Sequence, residues 1–198
     1  MIKLRPNPRF GALRDLLASK PGLLRPWSGT LFRFQTVDFP TPEEVLSGLG
    51  AKQRGGRWNP PGVAAVYGSS TDATALEESN ANDRYYGIVN RSPRLVVAVR
   101  ARLHRVLDLT SAAVRRQLGV TLAELTAEDW RKLTESGRES FTQALGRAAF
   151  QAAAKGILAR SATRASSVNV VVFPHNVGRG ESLVVVEGEK LRRLEWKN

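Results

Sequence analysis

Arg54-Gly55-Gly56-Arg57-Trp58-Asn59-Pro60-Pro61-Gly62 sets adjacent glycines and adjacent prolines inside nine residues. Proline removes a backbone donor and glycine relaxes φ, so the stretch excludes regular structure and reads as a rigid loop that holds side chains. Val63 to Tyr67, next along the chain, is short, apolar and partly β-branched, as a buried strand is. Asp72 to Asn80 has few breakers and predicts a helix, with Ser70 or Thr71 to cap it. On the other side of the loop, Leu31 to Thr36 predicts a strand. Thr41-Pro42-Glu43-Glu44 is a capping box with proline at the first helical position, opening a helix to about Leu49. Phe10, Leu13, Leu16 and Leu17 recur at helical spacing until Pro21-Gly22, which predicts an accessory N-terminal helix.

Towards the C-terminus, Leu95, Val97, Val99, Ala101 and Leu103 alternate with Arg94, Arg100 and Arg102 on the other face, the pattern of a half-solvated strand. Ser111 to Lys155 is helical by its Ala, Leu, Glu and Arg content. Thr126 to Asp129 reads as a second capping box there, and a longer helix carries Phe141, Leu145, Ala148, Ala149 and Ala152 inward. Val168 to Phe173, Ser182 to Val186 and Leu191 to Trp196 read as strands separated by Pro174, Gly178, Gly180 and Gly188. Strands and helices do not alternate regularly and no segment repeats, so the class is α+β in a single domain. Residues 1–30 are expected to be a helical extension of a domain spanning 31–198.

The 198 residues include 30 Lys or Arg against 18 Asp or Glu, a net charge of +12, and no cysteine. A composition 42% hydrophobic and 24% charged suffices to bury a core, which argues against wholesale disorder. Without cysteine there is no disulfide framework, thiolate metal site or cysteine nucleophile. Apolar runs such as Val168 to Phe173 fall well short of a membrane span, and MIKLRPNPRF has no secretory pattern, so a cytoplasmic, membrane-free protein is expected. The charge raises a second class of function, a basic nucleic-acid-binding module. Residues 1–60 carry ten Lys or Arg and four Asp or Glu, and residues 84–116 carry eight arginines and only Asp108. This excess is scattered, with no run of basic residues longer than pairs such as Arg115-Arg116 and Arg192-Arg193 and no interleaved aromatics, so direct nucleic-acid binding is not expected. A positive field would still gather anionic ligands or an acidic partner.

No phosphate-binding Gly-Lys-Ser/Thr loop, nucleophile elbow or His-Glu-x-x-His is present. The only histidines, His104 and His175, stand at a strand end and in a turn, which disfavours a histidine-based catalytic or metal site. Gly55-Gly56-Arg57-Trp58-Asn59-Pro60-Pro61-Gly62, then Ala65-Val66-Tyr67, then Ala75-Leu76-Glu77-Glu78, resembles the signature of RES-domain toxins. These belong to bacterial RES–Xre toxin–antitoxin pairs related in fold to ADP-ribosyltransferases. Leu31-Phe32-Arg33 resembles the family's opening strand. Gly156 to Ala162 and Asn169 to Phe173 resemble its later serine-containing segment, so the likeness spans about 31–186.

The resemblance implies an ADP-ribosyltransferase-like split β core with peripheral helices. It also implies NAD as substrate without a metal or other cofactor, cleavage at the nicotinamide–ribose bond, and growth arrest through NAD depletion. An Xre-type helix-turn-helix antitoxin is the implied partner, and homo-oligomers within the complex are compatible with it. Its implied catalytic set is Glu78, Ser161 and Tyr67, with Arg33, Arg57, Tyr67 and Asn169 binding NAD. Such a reaction needs a carboxylate beside an oxocarbenium-like ribose and guanidinium forks for two phosphates, roles that suit Glu78, Arg33 and Arg57. Glu78 follows Tyr67 by eleven positions as in the family, and Glu77, about 100° round the helix, remains the fallback. Tyr67 could stack on nicotinamide; Ser161 could bond substrate or orient Glu78; Trp58 and Asn59 brace the loop, and Asn169 supports the site from the next strand. Water, inorganic phosphate and a protein side chain stay open as acceptor, which keeps a mono-ADP-ribosyltransferase beside a glycohydrolase or phosphorylase.

Overall fold

A computed structural model describes residues 3–38, 41–89, 93–162, 164 and 166–191. Two long strands, β1 (Leu24–Thr36) and β3 (Arg94–Asp108), run antiparallel and pair from Leu24–Leu107 to Thr36–Arg94, with a bulge between Arg25 and Trp27. The opening strand therefore begins seven residues before the expected Leu31. Its polar residues Arg25, Ser28 and Thr30 carry no apolar signal, yet they complete the ladder with β3.

The circuit continues through β2 (Val66–Ser69), β5 (Val168–Val172) and β4 (Gly156–Arg160). β2 meets β1 at the single pair Phe32–Ser69, β5 is antiparallel to both β2 and β4, and β4 returns parallel to β3 over Val106–Asp108. Five strands thus close on themselves, while β6 (Ser182–Val185) lies against β3 at Val99–Arg102. The outcome is one mixed α+β domain, and its two cores line opposite faces of the sheet. Leu31, Val66, Val99, Leu103, Val170 and Val172 fill one; Leu107, Ile157, Ala159, Val171 and Phe173 belong to the other, with the helices.

On that second face lie α1 (Phe10–Ser19) and α8 (Phe141–Gln151). Leu13 and Leu17 of α1 are as buried as Leu145 and Ala148 of α8, so the N-terminal helix is built into the main core. The chain before α1 is strapped down too. Arg5 exchanges backbone bonds with Gly137 and Glu139, and Glu139, itself bidentate to Arg147, accepts from the Asn7 amide.

Several expected boundaries move for identifiable reasons. The capping box at Thr41 opens α2 (Pro42–Ser47), but Gly48 at φ +64° ends it, and a second short helix, α3 (Leu49–Arg54), follows. A side chain at Gly48 would lie 2.7 Å from the Ala65 amide. The strand expected from Val63 shifts to Val66–Ser69, because Val63 to Ala65 are spent in contacts with the loop and core. Thr71 caps α4 (Asp72–Tyr85), which outruns its expected end at Asn80.

The helical stretch after β3 breaks into α5 (Ala112–Leu118), α6 (Leu122–Ala127), α7 (Trp130–Glu135) and α8. Its capping boxes are Thr121–Glu124 and Ser140–Gln143, not Thr126–Asp129. Thr126 lies inside α6 and bonds back to the Leu122 and Ala123 carbonyls, while Asp129 caps α7 by itself. The strand expected over Leu191–Trp196 is not formed at its start, where Leu191 ends α9 (Gly188–Leu191); residues 192–196 lie outside the described residues.

α8 approaches the loop so closely that a Cβ on Gly146 would lie 1.8 Å from the Trp58 carbonyl oxygen. Gly146→Ala should therefore cost about 2–3 kcal/mol or more, since backbone on both sides prevents relief, and urea unfolding measures it. A second expectation concerns acid. Glu124 accepts from Thr121 and Arg9, which lowers its carboxyl to about 2. A depressed folded value stabilises above the ordinary carboxylate pKa and is lost as pH falls towards 2. Glu124→Gln, which can keep the cap, should flatten the stability profile between about pH 4.5 and 2.

Candidate active site

The loop over residues 55–62 is held by side chains because it has almost no ladder of its own. Asn59 is fully buried. Its carboxamide donates to the carbonyls of Ala51 and Val63 at 2.9 and 2.8 Å, with that of Pro60 at 3.3 Å. The Tyr67 hydroxyl donates to Asn59 Oδ1 at 2.7 Å and accepts from the Trp58 amide at 2.9 Å. Gly56 has to be glycine here, since a Cβ would come within 2.5 Å of that hydroxyl. From the other side Gln143 of α8 donates to the Gly56 carbonyl. Trp58 and Asn59 brace the loop as expected, and so does Tyr67. Burial pushes the Tyr67 phenol up, against the opposing pull of the Trp58 amide and Arg57. The residue as a whole is half-buried and packs against the main core.

The loop presents Arg57, whose Nη1 reaches the carbonyls of Leu125 and Glu128 at 3.3 and 3.4 Å. Burial, then the positive charge of Arg131, hold this guanidinium below the usual arginine value; Glu78, Tyr67 and Asp129 pull it back up.

Across the site, Glu78 projects from α4. Its Oε1 accepts from Ser161 Oγ at 2.6 Å and from Asn169 Nδ2 at 2.8 Å. Asn169 is itself oriented, because Ser69 Oγ donates to its Oδ1 at 2.8 Å. Strand alternation explains the convergence. Tyr67 and Ser69 on β2 share a face with Asn169 on the neighbouring β5 and Ala159 on β4, and Ser161 stands just past the end of β4 on that side. Beneath them, Thr71, Thr74 and Ser167 form a hydroxyl chain that ties the start of α4 to the segment before β5. Glu77 points away: it is partly exposed and lies 3.7 Å from Arg164. Of the two adjacent glutamates, Glu78 is therefore the one that Ser161 and Asn169 hold.

Arg33 is not brought to this cluster. Phe32 pairs with Ser69 and shares its face, so Arg33 faces the other side, where it donates to the Val45 carbonyl at 2.8 Å and Gln35 Oε1 at 2.9 Å. Burial pushes its guanidinium down to about 10. A shallow cleft beside β6, lined by Arg100, Ser182, Val184 and Glu187, shares no residue with the Glu78 cluster. Among the described residues no three His, Cys, Asp or Glu side chains converge as a metal site would require, and no helix is long and apolar enough to cross a membrane.

The RES domain family model matches residues 30–196. The chain belongs to the RES family. Relatives of this RES domain include the NAD(+) phosphorylase MbcT of Mycobacterium bovis and of Mycobacterium tuberculosis. Each is 30% identical over 144 residues, 69% of either chain. The crystal structure of the M. tuberculosis MbcT–MbcA toxin–antitoxin complex contains a chain similar over 92% of this one and 96% of its own, at TM-score 0.62 and 23% identity, a likeness of fold.

Two parts of this RES domain's site escaped the sequence. Ser69 lies two residues after Tyr67, and strand periodicity alone would have put it on the same face. Gln143 and Gly146 sit in an alanine-rich helix whose contact with the loop has no local signal. Tyr67→Phe would leave the Trp58 amide and Asn59 Oδ1 without their hydroxyl partner, at a cost of about 1–3 kcal/mol in denaturant unfolding.

Proposed function

We propose that this RES domain is a toxin that cleaves the nicotinamide–ribose bond of NAD and passes the ADP-ribosyl group to inorganic phosphate. What carries this proposal is the Glu78 carboxylate held by Ser161 and Asn169 beside the Arg57 loop, in a family with a NAD(+) phosphorylase relative. When the bond from ribose C1 to the pyridinium nitrogen breaks, its electron pair leaves with neutral nicotinamide. Positive charge then develops across ribose C1 and its ring oxygen, and the Glu78 carboxylate stabilises it. A phosphate oxygen bonds to C1, and with hydrogenphosphate as acceptor no proton has to move.

Ser161 and Asn169 hold Glu78 Oε1 and act as positioning residues, with Ser69 behind them. Tyr67 stacks on nicotinamide while its hydroxyl holds the loop. Arg57 forks onto the diphosphate. Arg33 could reach a phosphate only by giving up Val45 and Gln35, so Arg57 carries that contact here.

The finer assignment of fold belongs to the same proposal. β6-β3-β1 and β2-β5-β4 would be the halves of an ADP-ribosyltransferase-like split core. Their joining only at Phe32–Ser69 and over Val106–Asp108 supports that division. An antitoxin protein is the proposed partner, by analogy with the complex of the similar structure, and the +12 charge favours an acidic docking surface on it.

Incubating the protein with NAD, with and without inorganic phosphate, should release nicotinamide in a phosphate-dependent way. Glu78→Gln should slow release at least about a hundredfold, and Glu77→Gln should stay within a few-fold of wild type. Release that ignores phosphate would make water the acceptor. An unimpaired Glu78→Gln would remove the carboxylate from the mechanism.

A further inference from the structure

Arg131 stands in the first turn of α7, and its side chain crosses to α4, where Nη2 donates to Asn82 Oδ1 at 3.1 Å. Asn82 comes four residues after Glu78, so both lie on one face of α4 and Arg131 extends the wall that carries the carboxylate. The guanidinium is framed by aromatic rings, with centroids 4.5 Å away for Trp130, 4.8 Å for Tyr85 and 5.9 Å for Tyr86. Stacking of this kind fixes the guanidinium plane while its N–H edge can still serve a ligand. Arg131 Nε is buried with no hydrogen-bond partner.

Arg57 comes to the same place from the loop, on the carbonyls of Leu125 and Glu128 just before α7. Arg94 and Arg147, also partly buried, are matched to the carboxylates of Asp83 and Glu139, whereas Arg33, Arg105 and Arg115 rest on carbonyl or amide oxygens. Among the described residues neither Arg57 nor Arg131 makes an ion pair, and each is held by carbonyl or amide oxygens instead. Two neighbouring guanidinium groups repel each other, and an entering oxyanion turns that repulsion into attraction.

We infer that Arg57 and Arg131 together form a phosphate-oxyanion subsite, with Arg131 the second substrate-binding arginine. This inference rests on the NAD-cleaving reading, which offers two sources of the same chemistry: the diphosphate of NAD and the inorganic phosphate acceptor.

Calorimetric titration with ADP-ribose and, separately, with inorganic phosphate tests the subsite without relying on turnover. The proteins compared are wild type, Arg131→Gln, and Arg54→Gln, which removes the same charge from the exposed end of α3. Arg131→Gln should weaken one of the two ligands by about tenfold or more while Arg54→Gln leaves both unchanged. Loss confined to ADP-ribose assigns the NAD diphosphate, with a matching rise in KM for NAD. Loss confined to phosphate assigns the acceptor, with a rise in KM for phosphate. Equal losses in Arg131→Gln and Arg54→Gln, or none in a folded Arg131→Gln, would overturn the subsite. If Arg131→Gln does not fold, Arg131→Lys, which keeps the charge but not the fork, must show the selective loss, and wild-type affinities would overturn the inference. Absence of nicotinamide release by wild type would count against NAD cleavage, while the binding measurements would still decide the subsite.

Discussion

The Asn59 carboxamide, enclosed by the carbonyls of Ala51, Pro60 and Val63 and by the Tyr67 hydroxyl, is the contact on which the remaining geometry depends. A loop of glycine and proline satisfies only some of its own peptide groups, chiefly through the Gly56–Asn59 bridge, and every buried one left over is costly. One side chain supplies those partners and fastens the loop to α3 and β2 together. Once it does, Trp58 offers its backbone to α8 and Arg57 is aimed at the turn between α6 and α7. The absence of a side chain at Gly56 and Gly146 lets the layers meet.

The carboxylates divide by the company they keep. Glu139 and Asp83 are buried against arginines, which compensates their charge and makes them part of the scaffold. Glu78 accepts from a serine and an asparagine, neutral donors that fix its direction. That is the arrangement wanted where positive charge must develop in a substrate.

Much of this could be read from sequence where the signal was local. The Thr41 capping box, the Leu95–Leu103 alternation and the Gly/Pro loop each declare their structure within a few residues. Boundaries were lost where a distant partner decided them. Residues 24–30, polar at Arg25, Ser28 and Thr30, join β1 because β3 is long enough to pair with them, and Gly156–Arg160 becomes a strand between β3 and β5 despite little pattern of its own. At the site, residue types pointed to Glu78, Ser161 and Asn169 through family resemblance. Which of Glu77 and Glu78 those donors hold needed the helix placed against β4 and β5. Arg33 shows the converse: an arginine inside an apolar strand looked functional, and alternation turns it to the other face.

The two donors to Glu78 lie 83 and 91 residues beyond it in the chain. Helix α4 can form as soon as it is made, but its carboxylate stays unoriented until β4 and β5 exist. At ribosomal rates of about 5–20 residues per second, that interval is about 5–20 s. The arrangement around Glu78 is therefore completed only once residues 161 and 169 have been made, so a nascent chain carries this carboxylate long before it can hold it in place.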